Sequence, residues 1–228
     1  MNNFLDANKV LNENQAGYRK KYSTTDHVFV IKTLIDLYLS NKKKLYCAFV
    51  DFEKAFDTIW RVGLWEKLIK SNVKGIFLRL IHNLYSNIKS CVSVNGKQSD
   101  YFGCFTGVRQ GECLSPLLFS IYINDMDKYF LNNECSFLKH PDLLENAINL
   151  LLLLYADDTV IFADDPQTLQ KSLHCLEIYC NKWKLKVNVA KTKVMIFGKR
   201  QYNGDATFIF KGNNLEIVNE FKYLGTIF

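Results

Sequence analysis

Residues 150–163 read Leu150-Leu151-Leu152-Leu153-Leu154-Tyr155-Ala156-Asp157-Asp158-Thr159-Val160-Ile161-Phe162-Ala163, two adjacent acids held between apolar runs of strand length. That pattern predicts a hairpin with the carboxylates at its tip. Side-by-side carboxylates repel unless something positive sits between them. The natural counterion is a divalent metal with hard oxygen ligands, Mg²⁺ foremost. Taken alone, the acidic pair fits a hydrolase, a nucleotide switch or a polymerase.

The totals bound the class of protein. A chain of 228 residues, 48% hydrophobic and 23% charged, is long enough to bury a real core and is not a disordered composition. Aromatic residues make up 14%, which favours a well-packed interior. The net charge is +6, with basic clusters at Arg19–Lys21, Lys42–Lys44, Lys182/Lys184/Lys186, Lys191/Lys193 and Lys199-Arg200. Such clusters suit a polyanion, and they equally suit a solvated face. Seven cysteines without a C-x-x-C pair make neither a disulfide framework nor a zinc site. They fit free thiols in a reducing compartment. The first twenty residues are too polar for a signal peptide, and the apolar run 147–155 is too short to span a bilayer. An intracellular protein, in nucleus or cytoplasm, is expected, with no membrane partner.

Periodicity places the elements. Ser23 caps a helix from Thr24 to about Ser40, with Asp26 in its first turn and Val28, Ile31, Ile35 and Tyr38 on the apolar face. Leu45 to Asp51 is a buried strand, and Thr58 to Ser71 returns to helical spacing. Cys91 to Tyr101 is a hairpin turning at Asn95-Gly96. Ser115-Pro116 starts another helix, with Leu117, Leu118, Ile121 and Tyr122 as its apolar face. Residues 132–146 suit a surface excursion. Asp165-Pro166 caps a helix whose stripe is Leu169, Leu173, Leu176, Cys180 and Trp183. Phe208 to Phe228 alternates as strands around Gly212-Asn213-Asn214. With no repeat or long linker, this is one mixed α+β unit.

Four separated elements need a common explanation. These are the strand ending Val50-Asp51-Phe52 with Glu53-Lys54-Ala55-Phe56-Asp57; the loop Gly107-Val108-Arg109-Gln110-Gly111 before Ser115-Pro116; the acidic hairpin; and Asn188 with Lys191-Thr192-Lys193. A nucleotide hydrolase would need a G-x-x-x-x-G-K-[ST] loop, which is missing from the sequence. Two-metal nucleases and phosphatases stay open from the carboxylates alone. In this order and spacing, however, the elements resemble the palm of a reverse transcriptase, that of retrotransposons lacking long terminal repeats (LINE-like). Gln15 to Arg19 with Ser23 to Asp26 resembles the fingers segment before the first palm motif. Ala48 to Asp57 resembles the first motif, Gly107 to Leu118 continuing to Asp125 the second, Tyr155 to Asp158 the third, and Trp183 to Phe197 the fourth. Phe221-Lys222-Tyr223-Leu224-Gly225 resembles the hairpin that grips the primer end.

The resemblance implies an RNA-directed DNA polymerase domain over 1–228: partial fingers over 1–44, palm motifs over 45–207 and a primer-grip-like hairpin over 208–228. The fold it implies is α+β, an antiparallel palm sheet backed by helices. Earlier fingers motifs would precede residue 1, and a thumb would follow Phe228. Asp51, Asp157 and Asp158 are expected to hold two Mg²⁺ or Mn²⁺ ions, with Asp51 arriving from a neighbouring strand. Phe56 is expected beneath the sugar of an incoming dNTP, where an aromatic ring clashes with a 2′-hydroxyl. As one of 17 phenylalanines it also suits a core. Gln110 and Gly111 are expected at the nucleotide, where glycines admit close backbone approach or simply make a tight turn. Lys191 follows a strand pattern and is expected near the pyrophosphate as a neutralising charge or proton donor, though it also suits a surface lysine. Arg19, Tyr155, Tyr223, Leu224 and Gly225 are expected to meet the RNA template or DNA primer. Arg19 also suits a pair with a nearby acid, and either tyrosine suits a core. Glu53 and Asp57 are assigned to an exposed helix start, outside the site.

One departure within the second motif is Glu112-Cys113, where small or polar residues are common; a negative charge there weakens nucleotide binding beside Gln110. The rival function is an inactive retrotransposon remnant that binds RNA through its basic surface. A metal-dependent hydrolase would need a water-activating base at the acids, and the sequence offers none.

Overall fold

The computed structural model describes residues 5, 8, 10–19, 21–135, 138, 152–198 and 206–228. Helix α1 (Thr24–Ser40) is followed by strand β1 (Leu45–Val50), α2 (Arg61–Lys70) and α3 (Gly75–Ser86). The short strands β2 (Lys89–Ser90), β3 (Ser93–Val94), β4 (Lys97–Gln98) and β5 (Phe102–Gly103) make two small hairpin ladders. Next come α4 (Ser115–Ile123), α5 (Met126–Asn132), β6 (Leu152–Tyr155), β7 (Asp158–Ala163), α6 (Pro166–Trp183) and β8 (Lys193–Phe197). The chain closes with β9 (Phe208–Phe210), β10 (Asn213–Val218), β11 (Lys222–Tyr223) and β12 (Thr226–Ile227).

Six strands form the main sheet in the order β6-β7-β1-β8-β10-β9. β1 is central and antiparallel to both β7 and β8. The expected antiparallel sheet needs one correction, because β10 runs parallel to β8. That pairing follows from β9, which turns the chain at Lys211-Gly212 so that β10 enters the sheet in the direction of β8. Every residue of β1 is buried. Its alternate side chains feed two cores: Tyr46, Ala48 and Val50 join helices α2 to α6, while Leu45, Cys47 and Phe49 meet α1 and Tyr223. A strand covered on both faces carries no polar alternation, which is why Leu45–Val50 is continuously apolar.

The caps and turns follow local chemistry. At α1 the Ser23 N–H donates to the Asp26 carboxylate at 2.7 Å, the capping-box geometry. Its buried stripe is His27, Ile31, Leu34 and Tyr38, so the face is rotated from the expected one and leaves Val28 and Ile35 half-buried. Asn95 and Gly96 turn the β3–β4 hairpin, both with positive φ. α4 starts one residue earlier than expected, with Leu114 at the cap and Ser115 already helical, and is buried all round. The segment after Asp51 is a run of turns, and α2 begins only at Arg61. Glu53 and Asp57 are therefore not at a helix start. Of the expected excursion at 132–146, most lies outside the described residues, and Cys135 and Leu138 are buried. The seven cysteines are free thiols, and no helix of the described residues is long and apolar enough to cross a membrane.

α6 has the full expected stripe, Leu169, Leu173, Leu176, Cys180 and Trp183, buried against the sheet. Asp165 caps it with both oxygens, accepting from the Thr168 N–H at 2.7 Å and the Thr168 hydroxyl at 2.8 Å. Asp165→Ala is expected to cost about 1 kcal/mol in urea denaturation, the usual loss at such a cap.

Candidate active site

β6 and β7 pair from Leu152↔Ile161 to Tyr155↔Asp158, which leaves Ala156 and Asp157 as a two-residue turn. The acids are thus at the hairpin tip, as expected. Ala156 sits at φ 56, a conformation that needs outside support. The segment before Tyr18 supplies it. The Ala16 N–H donates to the Leu154 carbonyl at 2.9 Å, and the Leu154 N–H to the Asn14 carbonyl at 2.8 Å. Buried Gln15 accepts at Oε1 from the Gly17 N–H at 2.9 Å and the Ala156 N–H at 3.2 Å. Gly17 is required for this closeness, since an added Cβ would stand 2.2 Å from the Ala156 nitrogen. Gln15 and Gly17 have no role among the expected site residues; nothing in their spacing shows that they clamp a turn 140 residues away.

β1 pairs with β7 up to Val50↔Thr159, so the next step of the register sets Asp51 opposite Asp158. The Asp51 backbone is fixed on its other side. Its N–H donates to the Thr192 hydroxyl at 3.2 Å, and its carbonyl accepts from the Asn188 N–H at 2.8 Å. Lys191 lies within that Asn188–Thr192 turn, after a single isolated bridge at Val187 and not after the expected strand, and its N–H donates to the Asn188 carbonyl and Oδ1, each at 3.2 Å. The fourth element therefore carries the first carboxylate into place.

Burial, then the negative charges of Asp157 and Asp51, raises the Asp158 carboxyl to about 6. Burial and then Asp51 also raise Asp157. Among the described residues no lysine or arginine forms an ion pair with any of the three acids. Hard oxygen donors left in mutual repulsion suit a divalent cation. No three such side chains are already gathered into a ligand set among the described residues, so binding an ion would draw them inward. The strain gives a stability prediction. Because the folded pKa of Asp158 exceeds the ordinary value of about 3.9, the folded state holds the extra proton between about 4 and 6. Metal-free wild type therefore loses stability as pH rises through that window. Asp158→Asn in EDTA should raise Tm at pH 8, raise it less as pH falls through the window and change it little at or below about pH 4, as read by scanning fluorimetry.

Around the acids the chain forms adjoining clefts. One of about 500 Å³ is lined by Asp51, Glu53, Phe56, Gln110, Asp157 and Lys191. A second of about 390 Å³ lies between Asp51, Asp158, Lys191 and the β11–β12 hairpin at Tyr223. A third of about 520 Å³ is lined by Tyr18, Phe56, Gln110 and Gly111. Phe56 thus stands between two clefts, its ring 5.3 Å from that of Phe119. Gln110 donates from Nε2 to both Asp57 oxygens at 3.0 Å, which ties the glycine loop to the segment after β1. The Glu112 carboxylate pairs with Arg109 at 2.8 Å, so the negative charge expected to trouble Gln110 is offset locally. Glu53 and Asp57 belong to this neighbourhood, against expectation.

On the other side, Leu224 and Gly225 make the β11–β12 turn with φ 46 and 84. Tyr223 is buried, 5.5 Å from the Phe49 ring, with its hydroxyl 3.5 Å from His27 Nδ1. Tyr155 meets the same histidine edge-on at 5.7 Å. His27 thereby joins the acidic hairpin to the β11–β12 hairpin, and burial depresses it to about 4, so it is neutral near pH 7. It is absent from the expected set because the apolar face read from periodicity runs through Val28 and Ile35 and leaves His27 off it. Arg19 is engaged within its own loop: it donates to the Asn12 and Gln15 carbonyls at 2.8 and 2.9 Å and lies 3.6 Å from Glu13.

Residues 1–228 match the family described as reverse transcriptase (RNA-dependent DNA polymerase). The probable RNA-directed DNA polymerase from transposon BS of Drosophila melanogaster is 26% identical over 232 residues, covering 99% of this chain and 24% of its relative. The RNA-directed DNA polymerase from the mobile element jockey of the same fly is 24% identical, covering 96% and 23%. The Pol polyprotein of the fly element R2DM is 28% identical, covering 86% and 19%. The chain thus spans about a quarter or less of the length of these relatives. Among solved structures, apo telomerase from Candida tropicalis superposes with a TM-score of 0.64 at 16% identity, covering 98% of this chain and 37% of that one, a likeness of fold. With the acidic hairpin, the strand that completes it and a match along its whole length, this chain belongs to the reverse transcriptase family, as a domain of the LINE-like kind.

Proposed function

We propose that the domain catalyses RNA-directed DNA synthesis, joining a dNTP to a primer 3′-hydroxyl with release of pyrophosphate. The observation that carries this reading is the register that sets Asp51 opposite Asp158 at the tip of an acidic hairpin, with no lysine or arginine ion-paired to these acids among the described residues. The family uses divalent metal ions, and Mg²⁺ is the ion we favour, held by Asp51, Asp157 and Asp158. Two bound ions supply activation of the attacking hydroxyl and stabilisation of the leaving phosphates. The protein's own contribution is positional. The Gln15 clamp and the Asn188–Thr192 turn fix the backbone that carries the acids before substrate arrives, so that only side chains have to adjust around an ion.

Roles around the acids follow from the clefts. Phe56, Gln110 and Gly111 face the space proposed for the incoming nucleotide, and Lys191 faces its phosphates. Tyr155 and the Tyr223-Leu224-Gly225 hairpin flank the proposed primer end. In this reading 1–44 serves as fingers, 45–207 as palm and 208–228 as primer grip. The template is RNA, and the setting is intracellular. Arg19 supports that assembly by ordering the loop that carries Gln15.

The test is primer extension on an RNA template with each dNTP supplied singly, in Mg²⁺ or Mn²⁺. The expected product is addition of the nucleotide complementary to the template base. Addition that ignores the template, or none by a demonstrably folded chain, overturns the proposal.

A further inference from the structure

We infer that Arg61 is a positioning residue that holds the Gln110 loop against the Phe56–Asp57 segment, and so shapes the wall that would face the nucleotide. The inference rests on the nucleotide reading of that wall. Arg61 opens α2 and is buried, with no carboxylate forming a salt bridge to it among the described residues. Its guanidinium is instead surrounded by carbonyl oxygens. Nε donates to Gly107 at 2.9 Å, Nη1 to Tyr85 at 2.8 Å and Cys104 at 2.7 Å, and Nη2 to Thr106 at 3.0 Å. Three of those four acceptors lie on the stretch that leads into the glycine loop.

A lone buried cation is costly unless its donors are satisfied. Here the backbone satisfies them, and the same bonds fix the backbone. Once pinned, the loop pairs with the segment after β1: the Gly107 N–H donates to the Ile59 carbonyl at 2.9 Å and the Val108 N–H to the Phe56 carbonyl at 2.8 Å. The approach is close enough that a Cβ on Gly107 would stand 2.5 Å from the Asp57 carbonyl oxygen. Gln110 then reaches both Asp57 oxygens. Phe56, Asp57 and Gln110 are thus held by one network whose hub is a side chain outside all three. Lysine cannot replace it, since a single ammonium lacks the planar fork that reaches four carbonyls.

Two measurements decide this. In the first, Arg61→Lys and wild type are compared by amide hydrogen exchange. The expected result is about tenfold or faster exchange at Gly107 and Val108 with β1 and β7 unchanged, the mark of local release. Uniform acceleration, or no change at the loop, overturns the inference. Should the variant not fold, native-state exchange of wild type in low denaturant answers instead. Gly107 and Val108 are expected to open together with α2, and opening together with the β2–β5 ladder overturns the inference. The second measurement is steady-state extension, with KM for dNTP expected to rise about tenfold and kcat to stay within about threefold. An equal fall in kcat with unchanged KM overturns the positioning role. If wild type does not polymerise, the proposed function fails, while hydrogen exchange still decides whether Arg61 holds the loop.

Discussion

Replacing Asp51 with asparagine is expected to cut RNA-templated incorporation by about a thousandfold while leaving the fold intact. The side chain keeps its shape and loses its charge. The bonds that anchor this position run through its backbone, to Asn188 and Thr192, and survive the change. What is lost is one of three carboxylates that form no ion pair with a lysine or arginine among the described residues. Metal stabilisation of transition-state charge contributes several kcal/mol, and about 4 kcal/mol corresponds to about a thousandfold in rate. Single-turnover extension gives the rate, and near-UV circular dichroism checks the packing around Phe49 and Tyr223. A loss under tenfold would remove Asp51 from the reaction.

Phe56→Val is expected to lower discrimination against ribonucleotides by about 10- to 200-fold, the span that about 1–3 kcal/mol of pocket contact provides. The ring is wedged between two clefts and braced by Phe119, so it has little room to yield to an added hydroxyl. Because that packing also stabilises the protein, truncation lowers stability, and the ratio of deoxy to ribo efficiency is the informative quantity. Both substrates are measured on the same preparation, so loss of active protein cancels. An unchanged ratio in an active variant would make Phe56 a packing residue and nothing more.

The parts of the fold legible in the sequence are those fixed by neighbours in the chain. The acidic hairpin, the Asn95-Gly96 turn, the capped α1 and the stripe of α6 all declare themselves through local pattern. α3 is absent from the expected elements although its spacing is amphipathic, with Arg79, His82, Asn83 and Ser86 on one side; only the Ile81 and Tyr85 edge of its apolar face is buried, while Ile76, Phe77, Leu80 and Leu84 are exposed. The parallel β8–β10 pair depends on a return through β9, which has no local signature. Lys191 was expected to follow a strand and instead sits in the turn that anchors Asp51.

The site shows the same division. Asp51, Asp157, Asp158, Phe56 and Gln110 belong to short motifs whose chemistry is visible in order and spacing. Gln15, Gly17 and Arg61 act across gaps of tens to more than a hundred residues through backbone groups that a sequence does not display, and His27 does so through the side chains of Tyr155 and Tyr223. Arg61 in particular looks like an ordinary helical arginine until its four carbonyl partners are seen.

In the proposed function the Asp157-Asp158 hairpin is the catalytic tip of an RNA-templated DNA polymerase. Its most direct test is single-nucleotide extension of a DNA primer on an RNA template by wild type and by an Asp157→Ala/Asp158→Ala double variant, both verified as folded. The expected result is incorporation by wild type that follows the template base and requires a divalent ion, with none above background in the double variant. Equal incorporation by the two proteins would contradict the assignment.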